Sequence, residues 1–207
     1  MHIKIYADGG LVGASPSTIG GAYAWVIREG GVILNRHGQF IDAEECVLHK
    51  FINPYHTSTG PAMSCNYVET AAIVNAVLNL PVVQGEVTLT IVSDSANALN
   101  WATLSTNMGD WMKYENLALE VQECHMILSK FNVRRRLVKG HPSQSDLVRG
   151  YYQKEGSKVQ KPVSKYQHWC HRVCEDICKQ VKNGIAPADA VLNTSNLFCQ
   201  KEASSGL

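Results

Sequence analysis

Three carboxylate side chains stand where a charged group is expected to have little solvent. Asp8 closes one apolar strand, Asp94 closes another, and Glu69 lies in the first turn of a predicted helix. A carboxylate at the end of a buried strand needs a cation or a hydrogen-bond donor. If the two strands are neighbours and the helix packs over them, the three charges converge and repel one another unless a divalent cation lies between them. Hard oxygen ligands with room for water favour Mg²⁺ or Mn²⁺ over zinc.

Each of the three also has an ordinary structural interpretation. Asp8 precedes a glycine pair, as a turn residue does. Glu69 complements the positive end of a helix dipole, and Asp94 with Ser95 fits the N-cap of the following helix. One such position alone is weak evidence, so the metal-binding interpretation depends on the order and spacing of all three.

The elements that must position these groups follow from hydrophobic periodicity and turn residues. Strands are predicted at 2–7, 20–29, 32–40, 86–94 and 132–141, and helices at 66–80, 95–103, 110–130 and 164–182. Gly30-Gly31 indicates a hairpin, so the first three strands are antiparallel. The order β-β-β-α-β-α-α-β-α predicts an α/β fold with a five-stranded mixed sheet and helices on both faces.

One domain is expected over residues 1–184, with a C-terminal tail over 185–207. Within the domain, residues 41–62 are predicted to be irregular and residues 142–163 to form a long basic loop. That loop contains Arg149, Lys154, Lys158, Lys161 and the pair Tyr151-Tyr152, against Asp146 and Glu155. Basic and aromatic residues together are suited to holding a nucleic-acid backbone, and a solvated insert has the same composition.

Composition excludes several classes of protein. The 207 residues are 45% hydrophobic, with 19 Lys and Arg against 18 Asp and Glu, so the chain is neither disordered nor a polycation that binds nucleic acid by bulk charge. We expect no membrane span and no secretory signal. Seven cysteines, an odd number, fit reduced thiols. A cytoplasmic monomer is therefore expected.

Five short motifs carry a resemblance to a known family. They are IYADGG at 5–10, GGAYAWVI at 20–27, SCNYVETAA at 64–72, IVSDS at 91–95 and LVKGH at 137–141. In this order and at these intervals, the chain from about Ile3 to Val181 resembles the type I ribonuclease H family. The resemblance implies the ribonuclease H-like fold for nearly the whole chain.

The resemblance also implies roles for individual residues. Asp8, Glu69 and Asp94 correspond to metal-binding carboxylates, and His141 to a mobile histidine that assists proton movement or product departure near the scissile phosphate. The residues expected to contact substrate are Gly9, Gly10, Asn66 and Ser95.

The fourth metal ligand is where the chain departs from the family, which usually has Asp on the last helix, four residues after an Asn. Placing His171 there puts Gln167 at the Asn position, and placing Glu175 there puts His171 at the Asn position. We favour His171, because it lies seven residues beyond the predicted N-cap Ser164 and so near the sheet edge. Glu175 is the alternative, followed by Asp176 or no ligand at all. A neutral imidazole is expected to weaken the second metal site relative to Asp.

The implied activity is hydrolysis of the RNA strand of RNA–DNA hybrids by two divalent ions, Mg²⁺ or Mn²⁺, giving 5′-phosphate and 3′-hydroxyl ends. Contacts to the 2′-hydroxyl are expected to distinguish RNA from DNA. Two alternatives stay open. One is a nuclease of the same fold that acts on double-stranded RNA or DNA, and the other is a non-catalytic nucleic-acid-binding domain.

Overall fold

The computed structural model describes residues 1–45, 62–103 and 115–190. Its main sheet has five strands: β1 (His2–Leu11), β2 (Gly20–Glu29), β3 (Val32–Asp42), β4 (Thr88–Ser93) and β5 (Asn132–Leu137). Their order across the sheet is β3-β2-β1-β4-β5. The first three strands are antiparallel, and β4 and β5 run parallel to β1. The predicted neighbourhood of the first and fourth strands is therefore confirmed.

Helices cover both faces of this sheet. They are α1 (Cys65–Leu78), α2 (Ala96–Ala102), α3 (Glu115–Leu128), the short α4 (Gln144–Arg149) and α5 (Lys165–Lys182). The core of one face joins alternate residues of β1, such as Ile3 and Ile5, to α1, α2 and α3. The core of the other face joins Tyr6 and neighbouring strand residues to α5. This is the ribonuclease H-like fold, and the predicted fold class is confirmed.

Helix α5 lies along β1 with its thiols against the strand backbone. Sulfur-to-oxygen distances are 3.5, 3.4 and 3.6 Å for three pairs: Cys170 to the carbonyl of Tyr6, Cys174 to that of Asp8, and Cys178 to that of Gly10. Four helical residues advance about 6 Å and two strand residues about 6.6 Å, so the two repeats stay in register. Small side chains at this spacing allow α5 to approach β1 closely.

The predicted end of the first strand is wrong. The strand does not stop at Ala7, because Asp8, Gly9 and Gly10 continue the antiparallel ladder with β2 as far as Leu11. Asp8 therefore lies inside a strand and not at a turn. Its side chain points to the face that α5 covers, since alternate strand residues face opposite sides.

The segment 142–163, predicted as a loop, contains α4 and a two-stranded hairpin of β6 (Tyr151–Gln153) and β7 (Gln160–Pro162). Helix α4 begins in a capping box between Ser143 and Asp146 and ends at Gly150, which has the left-handed φ of 78°. Local capping therefore gives the insert a defined structure.

The first residues of the predicted tail also pack on the domain. Pro187–Asp189 form a 3-10 turn, and Ala190 is buried in the cluster under α5. The rest of the tail, most of the irregular segment 41–62 and the predicted start of the helix at Asp110 lie outside the described residues. Within the described residues, no helix is long and apolar enough to cross a membrane.

Candidate active site

An open cavity of about 350 Å³ lies beside the carboxyl ends of β1 and β4. Its lining includes four acidic and two imidazole side chains, which are Asp8, Glu69, Asp94, Glu175, His141 and His171. The structure thus brings the three predicted carboxylates together with the predicted histidine and both candidates for the fourth ligand. Gly9 and Gly10 also line the cavity, whereas Asn66 and Ser95 are not part of its described lining.

Asp8 is the most deeply buried acid of this group, with 3% of its surface exposed. Its Oδ2 lies 3.1 Å from Nδ1 of His171. Burial raises the pKa of Asp8 to about 7; the hydrogen bond from His171 opposes this, and the charges of Asp94 and Glu69 add to it. A proton or another cation is therefore needed beside this carboxylate at neutral pH.

Glu69 projects from α1 one turn later than predicted. Ser64 caps the helix and α1 begins at Cys65, which places Glu69 in the second turn. Burial raises the pKa of Glu69, a hydrogen bond with Ser95 opposes this, and Asp94 adds to it. A Cβ on Gly9 would lie 2.7 Å from the amide nitrogen of Glu69, so the glycine allows α1 to approach β1.

Asp94 directly follows β4 and is held from two sides. Nε2 of Gln167 lies 3.3 Å from its Oδ1. A Cβ on Gly140 would meet its Oδ2 at 2.2 Å, so a larger residue there would displace this carboxylate. Ser95, predicted to contact substrate, accepts a hydrogen bond from the amide of Ala98 as the N-cap of α2. The N-cap interpretation therefore holds for Ser95 and leaves Asp94 facing the cavity.

On α5, His171 and Glu175 are in contact with each other but have different partners. His171 Nε2 lies 3.4 Å from Oε1 of Glu175, while its Nδ1 faces Asp8. The hydrogen bond to Asp8 is the main cause that raises the pKa of His171. Glu175 is also paired with Arg172 at 2.7 Å. Of the two, His171 is the one that contacts a predicted carboxylate ligand, and Asp176 is absent from the described lining.

His141 lies exposed at the cavity, where the ring of His171 is 4.1 Å away in an edge-to-face arrangement. Its φ of 49° is the positive value that only a few non-glycine residues adopt. Asn66, at the start of α1, instead accepts a hydrogen bond at its side-chain Oδ1 from the side-chain Nδ2 of Asn97. The structure therefore brings His141, and not Asn66, to the carboxylates.

Sequence reasoning missed the contribution of Gln167. This side chain is 3% exposed, and its Nε2 donates to the carbonyl of Ala7 at 2.8 Å as well as to Asp94. Its Oε1 is buried without a hydrogen-bond partner in the described part of the chain. The spacing of four residues to His171, which places both on one side of a helix, was the available signal.

The donor set has the chemistry of a site for a hard divalent cation. Four carboxylates line the cavity, and its described lining contains no lysine or arginine. Among residues 1–45, 62–103 and 115–190, however, no three His, Cys, Asp or Glu side chains are arranged to hold a metal ion. The predicted metal centre therefore stays a prediction, and cation binding requires these side chains to rearrange.

Comparison with known proteins gives structural matches alone. No family model and no curated protein matches the chain. LC9-RNase H1, a type 1 RNase H with the type 2 active-site motif, is 20% identical, with a TM-score of 0.44 over 83% of this chain and 82% of that one. The PFV RNase H domain is 13% identical, with a TM-score of 0.44 over 86% and 92%.

LC11-RNase H1, solved in complex with an RNA/DNA hybrid, is 16% identical, with a TM-score of 0.40 over 65% of this chain and 85% of that one. LC11-RNase H1, an enzyme isolated from compost by a metagenomic approach, also matches in a second structure, at 18% identity and a TM-score of 0.40. At these identities and TM-scores the matches assign no activity to this chain.

Proposed function

We propose that the chain is a metal-dependent endoribonuclease that cleaves the RNA strand of RNA–DNA hybrids. The observation that carries the proposal is the convergence of Asp8, Glu69 and Asp94, from three distant segments, on one cavity whose described lining lacks a basic side chain other than histidine. Burial raises the pKa of Asp8 and of Glu69, and the nearby charge of Asp94 adds to both shifts, so a bound cation is favoured beside these carboxylates.

Asp8, Glu69 and Asp94 would hold the metal, with His171 as the fourth ligand and Glu175 as the alternative. Two divalent ions, when bound, supply an activated water and stabilise the leaving 3′-oxygen. Metal binding would displace a proton held between Nδ1 of His171 and Oδ2 of Asp8, because ligands bind in their deprotonated forms. Gln167 orients the carboxylate of Asp94 towards the cavity.

His141 has the position and exposure to move a proton near the reacting phosphate. Its ring is exposed and packs edge to face on the ring of His171, beside the carboxylates. The choice of an RNA–DNA hybrid as substrate rests on the five sequence motifs. Contacts to the 2′-hydroxyl group would select the RNA strand.

The decisive experiment incubates the protein with labelled RNA–DNA hybrid, double-stranded RNA, double-stranded DNA and single strands, each with Mg²⁺, Mn²⁺ or EDTA. We expect cleavage of the hybrid alone, giving 5′-phosphate ends, and its loss in EDTA and in Asp94→Asn. Cleavage of another duplex would instead support the alternative nuclease. Binding without cleavage under every metal would support the non-catalytic domain, which the imidazole at position 171 favours.

Metal preference gives a weaker test of the fourth ligand. Imidazole nitrogen is better suited to Mn²⁺ than to Mg²⁺, which prefers oxygen ligands. We therefore expect faster cleavage with Mn²⁺, and equal rates with the two ions would count against His171 as a ligand.

A further inference from the structure

The insert between β5 and α5 is attached next to the candidate active site. The amide of Lys139 donates to the carbonyl of Pro162 at 2.9 Å, and the amide of Val163 to that of Gly150 at 3.2 Å. Lys139 directly precedes Gly140, which packs against Asp94. The hairpin of residues 151–162, termed the basic hairpin below, therefore has its base beside the cavity.

Charge is concentrated in this part of the chain. Residues 139–165 contain six basic side chains, Lys139, Arg149, Lys154, Lys158, Lys161 and Lys165, and two acidic ones, Asp146 and Glu155. The whole chain has 19 basic and 18 acidic residues, so this segment is strongly positive relative to the remainder. Asp146 is already paired with Ser143 and Arg149, so within residues 139–165 Glu155 is the one acidic side chain left beside the lysines of the hairpin.

The geometry of the basic hairpin presents these charges on an ordered surface. Lys161 lies directly opposite Tyr152 across the two strands, and the ammonium group of Lys139 lies 5.1 Å from the centre of the same ring. The turn is closed by a hydrogen bond from the amide of Ser157 to the carbonyl of Lys154.

The lysines of this surface are available to a ligand. Lys154, Lys158 and Lys161 are all exposed, and within the described part of the chain none of them is paired with a carboxylate. Exposed cations on and around a short hairpin, with Tyr152 beside Lys139 and opposite Lys161, suit the backbone of an extended polyanion.

We propose that the basic hairpin binds the phosphodiester backbone of the nucleic acid whose cleaved strand enters the cavity, at phosphates away from the scissile one. The inference rests on the proposed function for the identity of the nucleic acid. Charge complementarity and the attachment beside Gly140 favour this ligand over an acidic protein, which has no reason to lie next to the carboxylate cavity. Lys158 and Lys161 are the main phosphate contacts.

The test compares two double variants that remove the same charge. Lys158→Gln with Lys161→Gln neutralises the hairpin. Lys130→Gln with Arg134→Gln is the control, because both residues are exposed and lie where β4 and β5 begin, at the end of the sheet opposite the cavity. Circular dichroism and thermal midpoints establish that both variants are folded.

Binding of a labelled RNA–DNA hybrid is measured in EDTA, so that cleavage does not interfere, over a series of salt concentrations. We expect the hairpin variant to bind roughly tenfold more weakly at about 0.1 M salt, with the slope of log K against log salt reduced by about 2. The control is expected to match the wild type within about twofold, since Lys130 and Arg134 do not reach the bound duplex.

Duplex length sharpens the result. Because the proposed contacts lie away from the scissile phosphate, the difference between the two variants should disappear for hybrids too short to span from the cavity to the hairpin. A difference that persists at every length would place the lysines at the cavity and overturn the proposal, as would equal weakening by both double variants.

The two proposals fail separately. If the wild type cleaves hybrid and both double variants bind it equally well, the inference about the basic hairpin is wrong and the proposed function stands. If the wild type cleaves nothing with any metal, yet the hairpin variant alone loses binding to the hybrid, the proposed function is wrong and the hairpin surface stands.

Discussion

Helices α1 and α5 lie on opposite faces of β1 and bring side chains to the same cavity by different kinds of contact. On the α1 face, a Cβ at Gly9 would lie 2.7 Å from backbone atoms of Val68 and Glu69. On the α5 face, a Cβ at Gly10 would lie 3.3 Å from the Cβ of Cys174. The backbone of α1 therefore lies directly against the backbone of β1, whereas a layer of cysteine side chains separates α5 from the same strand.

This difference implies unequal tolerance in the two halves of the site. The position of Glu69 depends on a backbone contact, so any shift of α1 also disturbs β1. His171 and Glu175 reach the cavity from a helix whose distance from β1 is set by side chains, and such a layer adjusts more easily.

Loss of a carboxylate from the α1 side is expected to have the largest effect. Glu69→Gln keeps the shape of the side chain and removes its charge, so we expect hybrid cleavage to fall by roughly 10³-fold, the scale on which loss of one charge-stabilising group acts. Glu175→Gln is expected to change the rate by about threefold or less, because Glu175 is also paired with Arg172. Single-turnover rates at saturating metal measure both.

His171→Ala tests the α5 side directly. We expect its loss of hybrid cleavage to be smaller than that of Glu69→Gln and larger than that of Glu175→Gln. Its effect must exceed that of Glu175→Ala, because His171 contacts Asp8 and Glu175 does not share that contact. The reverse ranking would identify Glu175 as the fourth ligand. Equal losses from Glu69→Gln and Glu175→Gln would remove the distinction between the two faces altogether.

The raised pKa of Asp8 is expected to make the free energy of unfolding depend on pH. Its pKa rises from 3.8 to about 7 on folding, so the folded protein retains a proton that the unfolded chain has lost between these values. The free energy of unfolding of the metal-free protein therefore falls as pH rises from about 4 to about 7. His171 acts in the same direction, since its pKa is raised and its stabilisation, full below 6.5, is lost as pH rises through the raised value.

Urea unfolding in EDTA from pH 4 to pH 8 measures this effect as a difference between wild type and Asp8→Asn. The unfolding free energy of one protein is subtracted from that of the other because Asp146, whose pKa is lowered, contributes stability that both proteins lose in acid. We expect the advantage of the variant to grow with pH over this range. Parallel curves for the two proteins would contradict a raised pKa at Asp8.

The adjacent glycines of β1 allow the two faces to be compared by stability alone. Gly9→Ala forces a methyl group into the backbone of α1, and we expect it to lower the free energy of unfolding by about 3 kcal/mol or to prevent folding. Gly10→Ala meets only the side chain of Cys174, and we expect a loss of about 1 kcal/mol or less. Chemical denaturation measures both, and similar losses would show that α1 and α5 are packed equally tightly.

The sequence was sufficient for the parts of this molecule that local patterns determine. The apolar runs that contain Asp8 and Asp94, the hairpin at Gly30-Gly31 and the helix that carries Glu69 each have their own periodicity or turn signal. That the first and fourth strands could be neighbours was the condition of the prediction, and their parallel pairing in the structure brings the carboxylates to one cavity.

Features that depend on contacts between distant segments could not be predicted from the sequence. The pair Gly9-Gly10 has the local pattern of a turn, and only the close approach of one helix on each face explains why it lies within a strand. The insert 142–163 is polar and contains Gly150 and Gly156, so it lacks the periodicity that predicts structure, although Ser143 and Asp146 carried a capping signal. The spacing of Gln167 to His171 places both on one side of α5, but it does not identify the acceptor of Gln167, a carbonyl 160 residues away.

The smallest expected effect concerns Gln167 as a positioning residue. Gln167→Met preserves the length of the side chain and removes the amide, so Asp94 loses a hydrogen-bond donor while its charge remains. We expect kcat to fall about tenfold with KM unchanged, and the metal concentration for half-maximal rate to rise, since Asp94 would be less well oriented. The carbonyl of Ala7 also loses its donor, at a cost of about 1–3 kcal/mol in stability.

A purely structural role would lower stability without changing the metal dependence of folded protein. Gln122→Met on α3, an exposed glutamine outside the described lining of the cavity, is the matched control and is expected to change neither quantity. If Gln167→Met reduces stability but leaves kcat and the metal titration as in the control, Asp94 is held by Gly140 and β4 alone. In that case the contribution of α5 to the carboxylate group is limited to His171.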